Sequence, residues 1–91
     1  DEPPFPLNGT KSIHQAVRAI QAKLFVTGEL HLYATVEPSG LVSSVKTIGS
    51  PSPEMTKFAA YILMLTKFKP AMCSGQPCRM DFPIRYEFRV E

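Results

Sequence analysis

Cys73 and Cys78 are the residues of this sequence whose spacing most plainly suggests chemistry. They enclose Ser-Gly-Gln-Pro, and a glycine and a proline within so short a loop favour a tight reversal of the chain. Such a reversal can bring two Cα atoms as close as a disulfide requires, and closing the ring would stabilise a small domain by roughly 2 kcal/mol. We therefore predict a structural disulfide, which favours an oxidising compartment such as the periplasm or the cell exterior.

Two other kinds of cysteine chemistry remain as alternatives, free thiols and a metal or redox centre. A tetrahedral zinc site needs four ligands, and the only histidines, His14 and His31, lie elsewhere without ligand-like spacing. A redox-active pair is more typically Cys-x-x-Cys, whereas four residues separate these cysteines. The spacing therefore favours a structural bond over either alternative.

Residue types that could support catalysis are present, but they are scattered. The eight acidic residues show no paired spacing that suggests acid–base work, and Ser43-Ser44 lacks the Gly-x-Ser-x-Gly elbow of serine nucleophiles. The five glycines stand singly, so no phosphate-binding loop is indicated. We expect no enzyme activity, no cofactor and no metal site.

Length and charge narrow the classes of protein further. A chain of 91 residues has room for one domain, and its small core would gain from a covalent staple. The net charge of +2 comes from scattered lysines and arginines without a basic run, so we expect no nucleic-acid partner. No apolar stretch approaches the roughly 20 residues that a membrane-spanning helix needs.

The spacing of apolar side chains indicates the elements that must position these residues. A helical repeat predicts helices at 12–25 and 53–67, and Ser-Pro-Ser-Pro-Glu marks the start of the second. Period-two alternation predicts strands at 29–37 and 82–90. The strand at 41–49 follows a Pro-Ser-Gly turn but breaks the alternation, so we expect a bulge there.

The element order α-β-β-α-β predicts a small α+β domain, in which a three-stranded antiparallel sheet carries both helices on one face. The second helix is so apolar that we expect it to be covered on more than one side. Pro83 lacks an amide hydrogen, which confines the last strand to a sheet edge or a bulge. Residues 1–10 are proline-rich and aperiodic, so we assign them to the end of a linker and residues 11–91 to the domain.

Several short motifs occur together between residues 28 and 90. Gly28 precedes the first strand, the Pro-Ser-Gly turn ends it, and a Val-x-x-Val strand follows. The second helix leads into Phe-Lys-Pro-Ala at 68–71, and the last strand reads Pro-Ile-Arg-Tyr-Glu-Phe at 83–88. In this order and spacing the motifs resemble the C-terminal domain of TonB, the energy transducer of Gram-negative bacteria.

The resemblance implies a membrane anchor, a proline-rich spacer and a periplasmic domain in series. The domain would bind the plug-side motif of an outer-membrane TonB-dependent transporter. It would transmit work from proton-driven inner-membrane motor subunits, reached through the missing N-terminal anchor, for the uptake of substrates such as iron-siderophores. The proline-rich start of this chain would then be the end of the periplasmic spacer.

The sequence departs from the family pattern in two places. Typical members carry a Gln-Pro-x-Tyr-Pro-like segment before the first strand, where this chain has SIHQAVRAIQAKLFVTG at 12–28, and the cysteine pair is a local addition. The first departure keeps a second function open, a TonB-like or TolA-like protein-binding module of another cell-envelope assembly. A small secreted enzyme or inhibitor held by one disulfide is the alternative from a different class.

An edge position would leave backbone groups of the last strand free to pair with an extended peptide of a partner. Arg85, Glu87 and Arg89 are the side-chain candidates for that contact, with Arg79 nearby, and the disulfide would fix the start of the strand. Pairing with the same strand of a second copy would instead give a strand-exchanged homodimer. The predicted partner-binding edge comprises Phe82, Ile84, Arg85, Tyr86, Glu87, Phe88, Arg89 and Val90.

Overall fold

The computed structural model describes residues 2–89, which form two helices and three antiparallel sheets. The predicted α+β class and the order of the five main elements are confirmed, and four short strands are additional. In chain order the elements are β1 (Phe5–Pro6), α1 (Lys11–Leu24), β2 (Gly28–Val36), β3 (Val42–Gly49), α2 (Pro53–Leu65), β4 (Phe68–Lys69), β5 (Ala71–Cys73), β6 (Gln76–Cys78) and β7 (Met80–Phe88).

The largest sheet has the strand order β3-β2-β7, and both of its pairings are antiparallel. β2 is therefore the middle strand, and β7 lies at an edge of the sheet, as predicted. The pairing of β7 with β2 runs without a shift from Gly28 opposite Phe88 to Val36 opposite Met80. This continuous register decides which side chains of β7 share a face with which side chains of β2.

The predicted irregularity of β3 is present as two register shifts against β2. Each shift leaves one extra β3 residue unpaired, Ser43 at one end and Ile48 at the other. Bulges of this kind interrupt the row of backbone groups that an edge strand presents to another chain. β3 is therefore a poorer template for an added strand than the regular strand β7.

The core lies between this sheet and both helices, which pack on one face as predicted. Alternate side chains of β2 point to that face and are completely buried, because a strand directs every second side chain to the same side. The buried apolar cluster comprises Ile13, Val17, Leu30, Leu32, Ala34, Val36, Val42, Met55, Ala59, Leu63, Phe68, Ile84 and Phe88.

The start of α2 follows the prediction. Ser52 is the N-cap residue, and its hydroxyl oxygen accepts a hydrogen bond from the Met55 amide at 3.1 Å. Pro53 takes the first helical turn, where its missing amide hydrogen costs nothing. The helix ends at Leu65, before the predicted residue 67, because the chain becomes extended and pairs as β4 with β1.

The expectation that α2 is covered on more than one side is wrong. Its inner face buries Met55 and Leu63, but Tyr61 and Leu65 on the outer face remain 63% and 65% exposed. No second layer covers that face among residues 2–89. The apolar character of a helix alone therefore overestimates its burial in a domain with so few layers.

Residues 2–6 form an extended segment that is held against the body of the domain. Glu2 and Met72 exchange two backbone hydrogen bonds, each 3.0 Å long. Pro4 and Pro6 are buried although they belong to the proline-rich start of the chain. The assignment of this N-terminal region to a linker remains a prediction, and its described part is packed on the domain.

Candidate functional site

A disulfide-closed hairpin comes directly before the edge strand. Cys73 in β5 is bonded to Cys78 in β6, with their Cα atoms 5.8 Å apart, so the predicted disulfide is confirmed. Ser74 and Gly75 form the turn with φ angles of 52° and 80°, the positive values that a tight hairpin turn requires. Only Arg79 separates the hairpin from β7, so the covalent closure fixes the point at which β7 begins.

Two polar contacts tie the start of β7 to the end of β2. Arg79 Nε lies 2.9 and 3.0 Å from the two carboxylate oxygens of Glu37. The Thr35 hydroxyl donates to Asp81 Oδ1 at 2.9 Å, and these two residues stand opposite each other in the register. Together with the disulfide, these contacts hold β7 in one register at this end.

The environment of Glu37 favours its ionised form. The hydrogen bond from the Ser43 hydroxyl is the main cause of its lowered pKa, and the bond from Arg79 is the second. Because the folded-state pKa lies below the unfolded value, the contacts contribute stability above the unfolded pKa. That stability is lost as the pH falls through the folded pKa. The group lies at the surface, so this contribution is small.

Half of the predicted edge residues face the core rather than a partner. Ile84 and Phe88 are buried, and the ring of Phe82 packs edge-on against Phe68 with centroids 5.0 Å apart. Tyr86 is half-buried on the same face. These side chains hold β7 in the fold.

Arg85 and Glu87 lie on the opposite, polar face of the sheet, and Arg89 directly follows the last residue of β7. Arg85 Nη2 is 3.0 Å from Glu29 Oε2 on β2, and this hydrogen bond is the main cause of the raised pKa of Arg85. Arg89 Nη2 is 2.9 Å from Glu87 Oε1. All four side chains are exposed, so these ion pairs are weak and can exchange partners. Val90 lies outside the described residues.

Pro83 indicates which backbone groups of β7 point away from the sheet. A proline on an edge strand is tolerated where its nitrogen faces away from the ladder, and the pairing with β2 continues through Tyr33 opposite Pro83. Backbone groups alternate between the two sides of a strand. The amides and carbonyls of Arg85 and Glu87 therefore point to the same outer side as Pro83.

The comparison with known families settles the class of the domain. A family model of the C-terminal region of the Gram-negative bacterial TonB protein matches residues 14–90, which is most of the chain. The chain belongs to this family. The match confirms the resemblance that the sequence motifs indicate. A search of curated proteins found no match.

Membership makes the chain a TonB-like C-terminal domain. This family consists of periplasmic protein-interaction domains rather than enzymes, and its domains interact with outer-membrane transporters. Neither helix within residues 2–89 has the length and apolar character that crossing a membrane requires. The surfaces of this TonB-like domain that can bind another protein are the candidates for its functional site.

A second surface of the TonB-like domain is an apolar groove beside α2. It has a volume of about 570 Å³, and its lining includes Leu7, Phe58, Tyr61 and Leu65. An apolar lining accepts many kinds of partner, whereas an edge strand such as β7, which pairs with β2 alone among residues 2–89, specifies one kind, an extended peptide. The edge of β7 is therefore the better-defined site.

Sequence reasoning missed the residues that surround the edge strand. Glu29, Thr35 and Glu37 contact β7 or the residue before it, and their alternation with buried residues of β2 was the available signal. The start of α1 also reaches β7, since the rings of His14 and Tyr86 meet edge-on at 5.2 Å. Nothing in the local sequence around His14 indicates that contact, because it depends on how α1 packs on the sheet.

Proposed function

We propose that this TonB-like domain binds an extended peptide from the plug region of an outer-membrane TonB-dependent transporter by strand addition to the outer edge of β7. One observation supports the mode of binding: β7 ends the sheet and, within residues 2–89, pairs with β2 alone. The outward amides and carbonyls of Arg85 and Glu87 form hydrogen bonds with the peptide. The domain then transmits work from proton-driven inner-membrane motor subunits for uptake of substrates such as iron-siderophores.

The affinity of such a contact is modest. About four or five added backbone hydrogen bonds, each worth about 1 kcal/mol net, correspond to weak binding before side chains contribute. Modest affinity suits a coupling that has to form, bear load and release.

The charged side chains beside the edge add selectivity rather than strength. Arg85 and Arg89 are each paired with an exposed glutamate that a carboxylate of the peptide can replace at little cost. Acidic residues on the polar side of the bound peptide are therefore favoured. Such pairs mainly affect the rate and the specificity of association.

A pair of variants at Arg85 tests the strand addition. Arg85→Pro removes one outward amide, whereas Arg85→Ala removes the same side chain and keeps the amide. In an NMR titration with a synthetic plug-region peptide, we expect the proline variant to bind roughly tenfold more weakly than the alanine variant. The proline variant loses the hydrogen bond from the residue 85 amide to the peptide, and the geometry of the neighbouring hydrogen bond is disturbed. Unchanged amide shifts in β2 and β3 would establish that both variants keep the fold.

Equal affinity of the two variants would rule out hydrogen bonding along this edge. Shifts confined to α1 or to the turn at 38–40 would rule it out as well.

A specific observation supports the second function, a binding module of another envelope assembly: the region that corresponds to the family's Tyr-Pro segment is the helix α1. Binding of other envelope peptides at β7, with no binding of transporter peptides, would favour that function.

A further inference from the structure

A small pocket lies between the middle of β7 and the first turns of α1. Its volume is about 190 Å³, and its lining comprises Thr10, Ile13, His14, Pro83, Ile84, Arg85 and Tyr86. Sites for small molecules usually begin at roughly 300 Å³. This pocket is therefore better matched to one side chain than to a cofactor or a metabolite.

The pocket lies where a strand added to β7 would direct its side chains. α2 packs over β3 and β2, whereas His14 of α1 meets Tyr86 of β7, so α1 lies over the edge side of the sheet. The side chains of Ile84 and Tyr86 point into the layer between the sheet and α1. The Cβ atoms of directly opposite residues on neighbouring antiparallel strands are about 4.5–5.5 Å apart. Every second side chain of an added strand therefore enters the layer that contains this pocket.

We infer that the pocket receives one large apolar side chain of the peptide bound along β7 and thereby selects the partner at that position. This inference rests on the strand addition proposed above. Backbone hydrogen bonds to an edge strand are the same for any sequence, so a pocket for alternate side chains is what gives such contacts their specificity. The residues that determine the preference are Ile13, His14, Ile84 and Tyr86.

The chemistry of the lining determines which side chain fits. Ile13 and Ile84 supply an apolar floor, being only 3% and 8% exposed, and the rings of His14 and Tyr86 form a wall. An aliphatic or aromatic side chain gains burial there. The lining contains no carboxylate, so lysine or arginine at this position of the peptide would lose water without gaining a partner.

The experiment is a selection of random short peptides displayed on phage against the disulfide-bonded domain, followed by NMR mapping of the selected peptides. Thr10→Phe fills the pocket from one side. It removes no helix-capping hydrogen bond, because the Thr10 side chain makes none. Lys11→Phe is the matched control, since Lys11 is exposed in the same turn and does not line the pocket.

We expect peptides that shift the amides of β7 to share an apolar residue at one fixed position. Replacing that residue by lysine, or using the Thr10→Phe domain, should weaken binding at least about tenfold, and Lys11→Phe should change it little. Peptides that bind along β7 without a fixed apolar residue, or that bind Thr10→Phe as well as the control, would overturn the pocket and leave the strand addition standing. Peptides that map away from β7, or the enrichment of none, would overturn both.

Discussion

At the scale of single residues, Gly40 joins the sheet to the segment that follows α2. Its φ of 88° lies in the left-handed region, and a Cβ atom there would overlap the carbonyl oxygen of Phe68. The Gly40 carbonyl also accepts a hydrogen bond from the Phe68 amide at 2.9 Å. A turn glycine is predictable from Pro-Ser-Gly, but the close approach of Phe68 is not, because that residue is distant in sequence.

Gly40→Ala should therefore lower the free energy of unfolding by roughly 2 kcal/mol or more, because backbone strain and overlap add. Gly75→Ala is the matched control, since Gly75 has a φ of 80° but open space where an added Cβ atom would lie. Urea denaturation of both variants measures the difference. Equal losses would mean that the contact with Phe68 is unimportant.

The carboxylate of Glu37 allows the contacts at the start of β7 to be measured directly. We expect an NMR titration to give Glu37 a pKa below the usual glutamate value, and Ser43→Ala to raise it more than Arg79→Ala, because the hydroxyl bond is the larger cause. The stability difference between wild type and Ser43→Ala should vanish as the pH falls through the folded pKa. A pKa that moves only in the arginine variant would contradict this order of causes.

At the scale of elements, local periodicity predicts the long helices and strands and not the short pairings. β1 and β4 have two residues each, too few for any period, and they form only because segments distant in sequence meet. The edge position of β7 is predictable from Pro83, which cannot donate to a ladder. The polar partners on β2 and the pocket beside α1 depend on register and packing, which no local pattern contains.

The disulfide hairpin is the element whose contribution is easiest to isolate. Replacing Cys73 and Cys78 by serine should lower the free energy of unfolding by roughly 2 kcal/mol, because the unfolded chain loses a short closed ring. Amides at the start of β7 should exchange faster, while those in the middle of β2 change only by the global loss. Thermal denaturation and hydrogen exchange measure both effects. Uniformly faster exchange would show that the hairpin stabilises the domain without fixing β7.

At the scale of the whole molecule, the two places where load would act are connected through the disulfide hairpin. Glu2 of the N-terminal segment is joined by backbone hydrogen bonds to Met72, the residue before Cys73. One residue separates Cys78, the second cysteine of the hairpin, from the start of β7. Under the proposed function, tension from the spacer reaches the peptide-binding strand through this covalently closed region.

Proline on an edge strand commonly limits backbone pairing with a second copy of the chain, which agrees with the position of Pro83 on the outer side of β7.

Strand addition requires outward backbone groups of β7 that are free until a peptide binds, and residue-by-residue amide hydrogen exchange measures this directly. In the free domain we expect slow exchange of the Ile84 and Tyr86 amides, which point to β2, and fast exchange of the Arg85 and Glu87 amides, which point outward. Addition of a transporter plug-region peptide should slow exchange at Arg85 and Glu87 selectively. Slow exchange at these two amides before any peptide is added, or no change on its binding, would contradict strand addition at β7.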